Sequence, residues 1–403
     1  MVQTSLQNLF EDFIVKCSLF KNKEVLNTKF TPKDIPHREV EINQIAKILA
    51  CSLRNEKPSN IFIHGLPGTG KSLCTSFVTA QLLETASKKN IPLRIINVNC
   101  KLHRVADTEY RLIAHIARSF GKKVPATGLP TSEVYRIFYN TLDEQNGIVV
   151  LILDEIDELV EKCGNDILYN LTRVNQELKS AQLCIVGISN NINFLKMLDP
   201  RVKSSLSEED ILFSPYNAMQ LADILTERAN LAFSEGAISP EVITKCAALA
   251  AREHGDSRRA LALLRVAGEL CERLNDDIVL EKHLDLAEEK IERDNFIEIA
   301  KSLPQQSKIV LSSLINVLNG RKDPLNTGEV YNIYRSWCLK MNTKSLTARR
   351  VTDLLCELES VGFITSNLRS FGRYGRTREI QLAIPKQSLI KVANVLKESF
   401  GIL

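Results

Sequence analysis

The stretch Gly65-Leu66-Pro67-Gly68-Thr69-Gly70-Lys71-Ser72 constrains this chain more than any other. It follows an apolar run, Asn60-Ile61-Phe62-Ile63-His64, that reads as a buried strand, and it opens into residues 73–83, which read as a helix. A strand, a glycine-rich turn closing on Gly-Lys-Ser and a helix are the context in which backbone N–H groups wrap a phosphate. The positive end of the helix dipole points at the same place. In such a loop Lys71 reaches the outer phosphates and the Ser72 hydroxyl ligates Mg²⁺, while Gly65, Pro67, Gly68, Thr69, Gly70 and Leu73 complete the cradle. A glycine-rich turn that fits the pattern by chance is the bland alternative, and the strand and helix on either side weigh against it. The implied ligand is a nucleoside triphosphate.

The 403 residues exceed one ordinary core, so two or three domains are expected. Residues 148–153 are apolar throughout, as a central parallel strand should be, and further strands are expected at 93–98 and 183–188. Helical patterns at 39–54, 108–120 and 131–142 alternate with them, which predicts an α/β parallel sheet covered on both faces. After Phe213 the strand signal stops, and 217–233, 240–252, 257–273 and 280–294 show helical periodicity. The expected layout is a polar leader over 1–30 with an amphipathic stretch at 6–20, a nucleotide-binding domain over 31–214, a helical lid over 215–298 and a last domain over 299–403. The joint before that last domain is expected at 299–304.

No apolar run approaches the ~20 residues of a membrane span. Residues 1–13 carry acids and lack a signal pattern, so the expected location is the cytoplasm, in association with the nucleoid. The ten cysteines form no Cys-x-x-Cys pair, and no His falls at zinc-ligand spacing. They read as small buried residues in a reducing interior. The net charge is +4, yet residues 300–403 hold sixteen Lys and Arg against seven acids. That is about +9, leaving about −5 for the rest, and such a basic end points to a polyanion partner.

Asp154-Glu155 closes the most apolar strand. Downstream of a phosphate loop, Asp154 is placed to hold Mg²⁺ through water and Glu155 to polarise an attacking water. Acids at a helix N-terminus would also favour Asp-Glu-Ile-Asp. Ser189-Asn190-Asn191 follows the next strand, where Asn190 either orients the water or forms a turn. In Gly255-Asp256-Ser257-Arg258-Arg259 an arginine either reaches over the phosphates or is merely solvated.

The last domain has winged-helix grammar: helices at 307–318, 327–341 and 347–361, then a hairpin from 363–366 returning at 378–384. Arg349 and Arg350 lie near the start of the third helix, where a recognition helix meets a groove. The hairpin carries Arg369, Arg373, Arg376 and Arg378 among glycines, suited to phosphate or minor-groove contacts rather than to a merely solvated loop.

In order and spacing, this set resembles the AAA+ ATPases, and more closely the archaeal replication initiators related to the origin recognition complex and cell division control protein six. The carrying residues are Pro36-His37-Arg38-Glu39, the 65–72 loop, Asp154-Glu155-Ile156-Asp157, Gly187-Ile188-Ser189-Asn190, Asp199-Pro200-Arg201-Val202, Tyr216-Asn217 and Gly255-Asp256-Ser257-Arg258-Arg259-Ala260-Leu261. The resemblance implies an AAA+ P-loop sheet with a helical lid, followed by a winged-helix DNA-binding domain. It makes Asn190 the first sensor and Arg258 the second, and it puts Tyr216 and Arg228 beside the nucleotide. Arg201 matches an arginine that reaches a neighbour's nucleotide in relatives, although Ser205 stands where some carry a second. Lys122 and Lys123 fall in a helical insert that touches DNA in the family. The implied cofactors are ATP or ADP with Mg²⁺, hydrolysed slowly as a switch. The implied partners are double-stranded origin DNA, the replicative helicase and initiator paralogues, with no membrane. A nucleotide-gated transcription regulator and a clamp-loader-like ATPase are the alternatives.

Overall fold

The computed structural model describes residues 18–28, 30–32, 34–101, 106–125, 127–318, 323–370 and 376–400, without the side chains at 368–370, 376–377 and 386–387. The amphipathic stretch expected at 6–20 falls mostly outside the described residues. So do Arg373 and the side chains of Arg369 and Arg376. Contacts divide the chain into residues 1–284 and 285–403.

The first unit holds five parallel strands: β1 (Ile61–Gly65), β2 (Leu93–Asn99), β3 (Ile148–Asp154), β4 (Gln182–Ser189) and β5 (Glu209–Phe213), in the order β2-β3-β4-β1-β5. Its longer helices up to β5 are α1 (Glu39–Leu49), α2 (Lys71–Lys88), α3 (Glu109–Ser119), α4 (Thr131–Asp143), α5 (Ile156–Cys163), α6 (Asp166–Arg173) and α7 (Pro200–Leu206). Interior strand β3 shows why both faces are covered. Val149, Leu151 and Leu153 enter a core with α3 to α6, while Val150 and Ile152 enter another with α1 and α2. Side-chain direction alternates along a strand, so one apolar run serves two cores. Helix α2 buries Cys74, Val78, Leu82 and Ala86, one stripe at four-residue spacing that fastens it to the sheet.

The four expected strands are present, but β5 was not anticipated. It is an edge strand whose Glu209 and Asp210 face solvent while Ile211 and Phe213 are buried, a pattern that reads as a charged loop. Its end passes so close to β1 that a Cβ on Gly65 would lie 2.4 Å from the Phe213 carbonyl oxygen.

Helices α8 (Ala218–Ala232), α9 (Pro240–Arg252) and α10 (Ser257–Leu274) pack as a lid around Leu225, Cys246, Leu264 and Cys271. A reciprocal cap between Asn217 and Gln220 starts α8. The leader is not a free polar segment from Ser18 onward. Phe20 packs on Phe233 with ring centroids 4.5 Å apart, and the Lys21 and Asn22 amides donate to the Ala232 carbonyl. Lys23 pairs with Glu269 at 2.8 Å, and Val25 and Leu26 are buried. The polar residues between these anchors hide the anchoring pattern in the sequence.

Helix α11 (Glu281–Ser302) runs on past 294 and through most of the expected joint, leaving Leu303 and Pro304 before α12 (Gln305–Leu318). The second unit continues with β6 (Leu325–Asn326), α13 (Thr327–Lys340), α14 (Ala348–Ser360), β7 (Ile364–Ser370), β8 (Arg376–Leu382) and α15 (Lys386–Ser399). The strands form an antiparallel sheet ordered β6-β8-β7. Tyr334, Leu358, Phe363 and Ile380 centre its core. Helix α15 was not anticipated; it buries Leu389, Val392 and Leu396. Among the described residues no helix is long and apolar enough to cross a membrane. Six of the described cysteines are buried, as expected, while Cys51 and Cys356 are exposed.

If residues 18–30 are an integral part of the lid, Phe20→Ala should cost about 2 kcal/mol through the lost ring contact. Urea denaturation of the full chain checks this, and an unchanged midpoint would mean the anchor contributes nothing.

Candidate nucleotide site and nucleic-acid surface

Strand order assembles the site. Asp154 lies opposite Ile188, and Ser189 lies opposite His64, so the carboxyl ends of β3, β4 and β1 are adjacent. Asp154-Glu155, Asn190 and the phosphate loop therefore emerge along one edge of the sheet, where ligands of open α/β sheets bind.

In the loop, Gly68 and Gly70 take φ of +71° and +93°, values that disfavour a side chain. Gly65, Thr69 and Lys71 are buried, while Pro67 is exposed at the turn. Lys71 Nζ donates to the Gly65 and Leu66 carbonyls, both at 2.8 Å. Burial pushes its ammonium down to about 8; Arg258 adds to the effect, and Asp154, Asp157 and Asp256 oppose it. A cavity over the loop is lined by Gly68, Gly70, Ser72, Leu73, Tyr216, Arg228 and Arg258, and on its other side by residues between 27 and 36. Arg228 is buried rather than spread on the lid surface. Its guanidinium lies 4.6 Å from the centre of the Phe30 ring, and burial lowers its pKa. Tyr216 is buried as well, and burial raises its phenol.

Arg38 belongs to this site, although sequence reasoning assigned it no role. It is buried, donates from Nε to the Thr69 carbonyl at 3.0 Å and from Nη1 to Glu41 at 2.7 Å, and also reaches the Ser214 carbonyl. Its guanidinium stacks 4.1 Å from the centre of the Tyr216 ring. The Pro36-His37-Arg38-Glu39 motif was the available signal. The partners are mostly backbone carbonyls, which a sequence does not display.

Glu155 caps α5 in a left-handed conformation, φ 56° and ψ 50°, on the order of 1 kcal/mol unfavourable for a residue with a Cβ. Burial raises its carboxyl; Lys101, at 3.8 Å from Oε2, opposes this, and Asp154, Asp157 and Glu158 add to it. A carboxylate so raised is a better proton acceptor than an ordinary glutamate. The Asp154 carboxylate and Ser72 hydroxyl are hard oxygen donors, and Asp157 Oδ1 is buried without a hydrogen-bond partner. This donor set fits Mg²⁺. Asn190 is half-buried just after β4 and, among the described residues, does not line the cavity. Arg201 is exposed, held by Asp199 at 3.0 Å and set over Tyr169.

The lid meets the loop directly. The Ser257 amide and hydroxyl both donate to the Gly68 carbonyl, at 3.2 and 2.7 Å. A Cβ on Gly68 would lie 1.7 Å from Asp256 Oδ1. Sequence reasoning quoted Asp256 and Ser257 but singled out only Arg258.

In the second unit, Arg349 and Arg350 are exposed in the first turn of α14, which Thr347 caps. The opposite face buries Val351, Leu354, Leu355 and Leu358, so the pair is held rigidly outward. Arg350 has one weak tether, Asp353 at 3.6 Å. Arg378 departs from expectation: it folds back on α14, with Nη1 3.0 Å from Cys356 Sγ and 3.9 Å from Glu359. Its position in β8 places it beside that helix rather than at the tip. In the first unit, Lys122 is paired with Glu144 at 2.7 Å, and Lys123 is exposed.

Three family models match the chain: an AAA domain over 54–195, a Cdc6 AAA+ ATPase-type lid domain over 222–289, and a CDC6 C-terminal winged helix domain over 298–392. An ORC1-type DNA replication protein of Pyrococcus abyssi is 47% identical over 404 residues, covering 99% of this chain and 95% of the relative. ORC1-type DNA replication protein 1 of Methanosarcina mazei is 47% identical over 390 residues, with 96% and 93% covered. The structure of the Aeropyrum pernix ORC1 protein in complex with DNA superposes with a TM-score of 0.83 at 42% identity, covering 95% of this chain and 98% of that one.

The lowered Lys71 pKa fixes a sign. Below about 8 the lysine carries its proton before a phosphate arrives, whereas above it the free site must first take one up. Nucleotide affinity should therefore fall as pH rises through about 8, approaching tenfold per pH unit. Calorimetric titration with ATP between pH 6.5 and 9.5 checks it; a flat profile would contradict the assignment.

Proposed function

The chain belongs to the ORC1-type, Cdc6-related family of DNA replication proteins, and on that premise we propose that it is an ATP-dependent initiator that grips origin DNA and helps recruit the replicative helicase. The observation that carries this reading is the pairing, in one chain, of a phosphate loop closed by a lid with a winged helix whose first recognition turn holds two exposed arginines. The Aeropyrum relative was solved with DNA, which supports duplex binding by this chain too.

ATP sits between sheet and lid. The loop amides and Lys71 hold its phosphates, Arg228 and Tyr216 wall the cavity, and Arg258 reads the terminal phosphate from the lid. Asp154 and Ser72 would hold Mg²⁺, which supplies charge neutralisation at the phosphates. Glu155 accepts the proton of the attacking water, and Asn190 orients that water. Slow turnover suits a protein whose product is a change of state. Arg349 and Arg350 contact base edges, while the wing arginines 369, 373, 376 and 378 and the insert lysines 122 and 123 contact phosphates. Arg378 and Lys122 must first exchange their present partners, a small cost at a half-exposed surface. Origin duplex, replicative helicase and initiator paralogues are the proposed partners.

Two experiments test this reading. Lys71→Ala should abolish ATP retention while the second unit keeps its folded signature in spectra of Trp337; ATP binding at the wild-type level would contradict the loop's role. Replacing Arg349 and Arg350 together by Ala should weaken binding to origin duplex by about 1–3 kcal/mol per lost base contact. Fluorescence anisotropy measures this, and unchanged affinity would place the recognition helix elsewhere.

A further inference from the structure

The lid and the phosphate loop are joined at a point that involves no phosphate. One lid residue, Ser257, supplies two donors to the Gly68 carbonyl: its hydroxyl at 2.7 Å and its amide at 3.2 Å. The preceding residue, Asp256, covers Gly68 so closely that no Cβ would fit there. The same Asp256 carboxylate accepts from the Arg258 amide at 2.8 Å and so caps α10. Three consecutive residues thus have separate tasks. Asp256 fixes the helix start over the loop, Ser257 grips the loop backbone, and Arg258 lines the cavity.

The opposite wall of the cavity is closed by a different means. The segment around residues 27–36 is anchored to the lid by Phe20 on Phe233 and by the Lys21 and Asn22 amides on the Ala232 carbonyl. At its far end Arg38 holds the Thr69 carbonyl. That side is fastened by the ring contact, two backbone hydrogen bonds, the buried Val25 and Leu26 and the buried Arg38, whereas the Ser257 closure is two hydrogen bonds. A nucleotide leaves most readily by breaking the weaker closure. Because Ser257 bonds only to backbone, its grip does not depend on how many phosphates the nucleotide carries.

We propose that Ser257 is a positioning residue that latches the lid onto the phosphate loop and sets nucleotide residence time alike for ATP and ADP, leaving discrimination between them to Arg258. This rests on the reading of the cavity as the nucleotide site. The test is stopped-flow displacement of N-methylanthraniloyl-ATP and N-methylanthraniloyl-ADP from the full chain. Ser257→Ala should raise both dissociation rate constants about threefold to tenfold, by the same factor, as expected for the loss of a neutral hydrogen bond and looser closure. Ser257→Thr keeps the hydroxyl and should restore the wild-type rates. Arg258→Ala should alter the ATP rate more than the ADP rate. Unchanged rates in Ser257→Ala, a rise confined to ATP, or a Thr variant as defective as the Ala one would each overturn the latch. A wild-type chain that binds neither analogue would overturn the nucleotide reading itself.

Discussion

One buried guanidinium holds the nucleotide-binding machinery in register. A charge taken out of water is tolerated only where nearly all of its donors find partners. Arg38 finds them in Glu41 on its own helix, the Thr69 carbonyl in the phosphate loop and the Ser214 carbonyl beyond β5, with the Tyr216 ring stacked on its face. These partners come from three separate parts of the first unit: the start of α1, the phosphate loop and the segment after β5. Satisfying one cation therefore fixes the loop against the edge of the sheet and against the start of the lid. Truncating it would leave Glu41 and two carbonyls short of a donor as well as opening a void.

Around that anchor, opposing charges are kept close without cancelling. Lys71 is held below its usual ammonium range by burial and by Arg258, yet three aspartates pull the other way. Glu155 is raised by burial and by neighbouring acids, with Lys101 as counterweight. A site with a depressed lysine and an elevated glutamate is poised to respond to an incoming polyphosphate. The left-handed turn at Glu155 adds backbone strain at the same point, where strain commonly accompanies function. The second unit is built on a simpler principle: an apolar face of α14 packs inward so that Arg349 and Arg350 stay outward.

Much of this was legible in the sequence, for physical reasons. The central strands are runs of apolar residues buried on both faces, and the phosphate loop needs its glycines where φ is positive, so both leave marks in residue type. Strand β5 left none, because an edge strand wears charges on its open side. The lid anchor of residues 18–26 was masked by Lys21, Asn22, Lys23 and Glu24 between its apolar contacts. Arg38 and Ser257 act largely through backbone carbonyls, which carry no letter in the sequence. Arg378 reads from the sequence as one more hairpin charge suited to phosphate, because spacing alone cannot show that β8 carries it back against Cys356. Helix α11 outran its expected end because the joint beyond 294 contains no glycine or proline until Pro304.

These parts belong to an ORC1-type DNA replication protein, and the proposal is that its nucleotide state governs a grip on replication origins. The most direct measurement is a genome-wide footprint of the protein, set beside a map of replication start sites from the same cells. The account predicts that the strongly protected sites coincide with replication starts. Protection confined to promoters, with replication starting elsewhere, would contradict it.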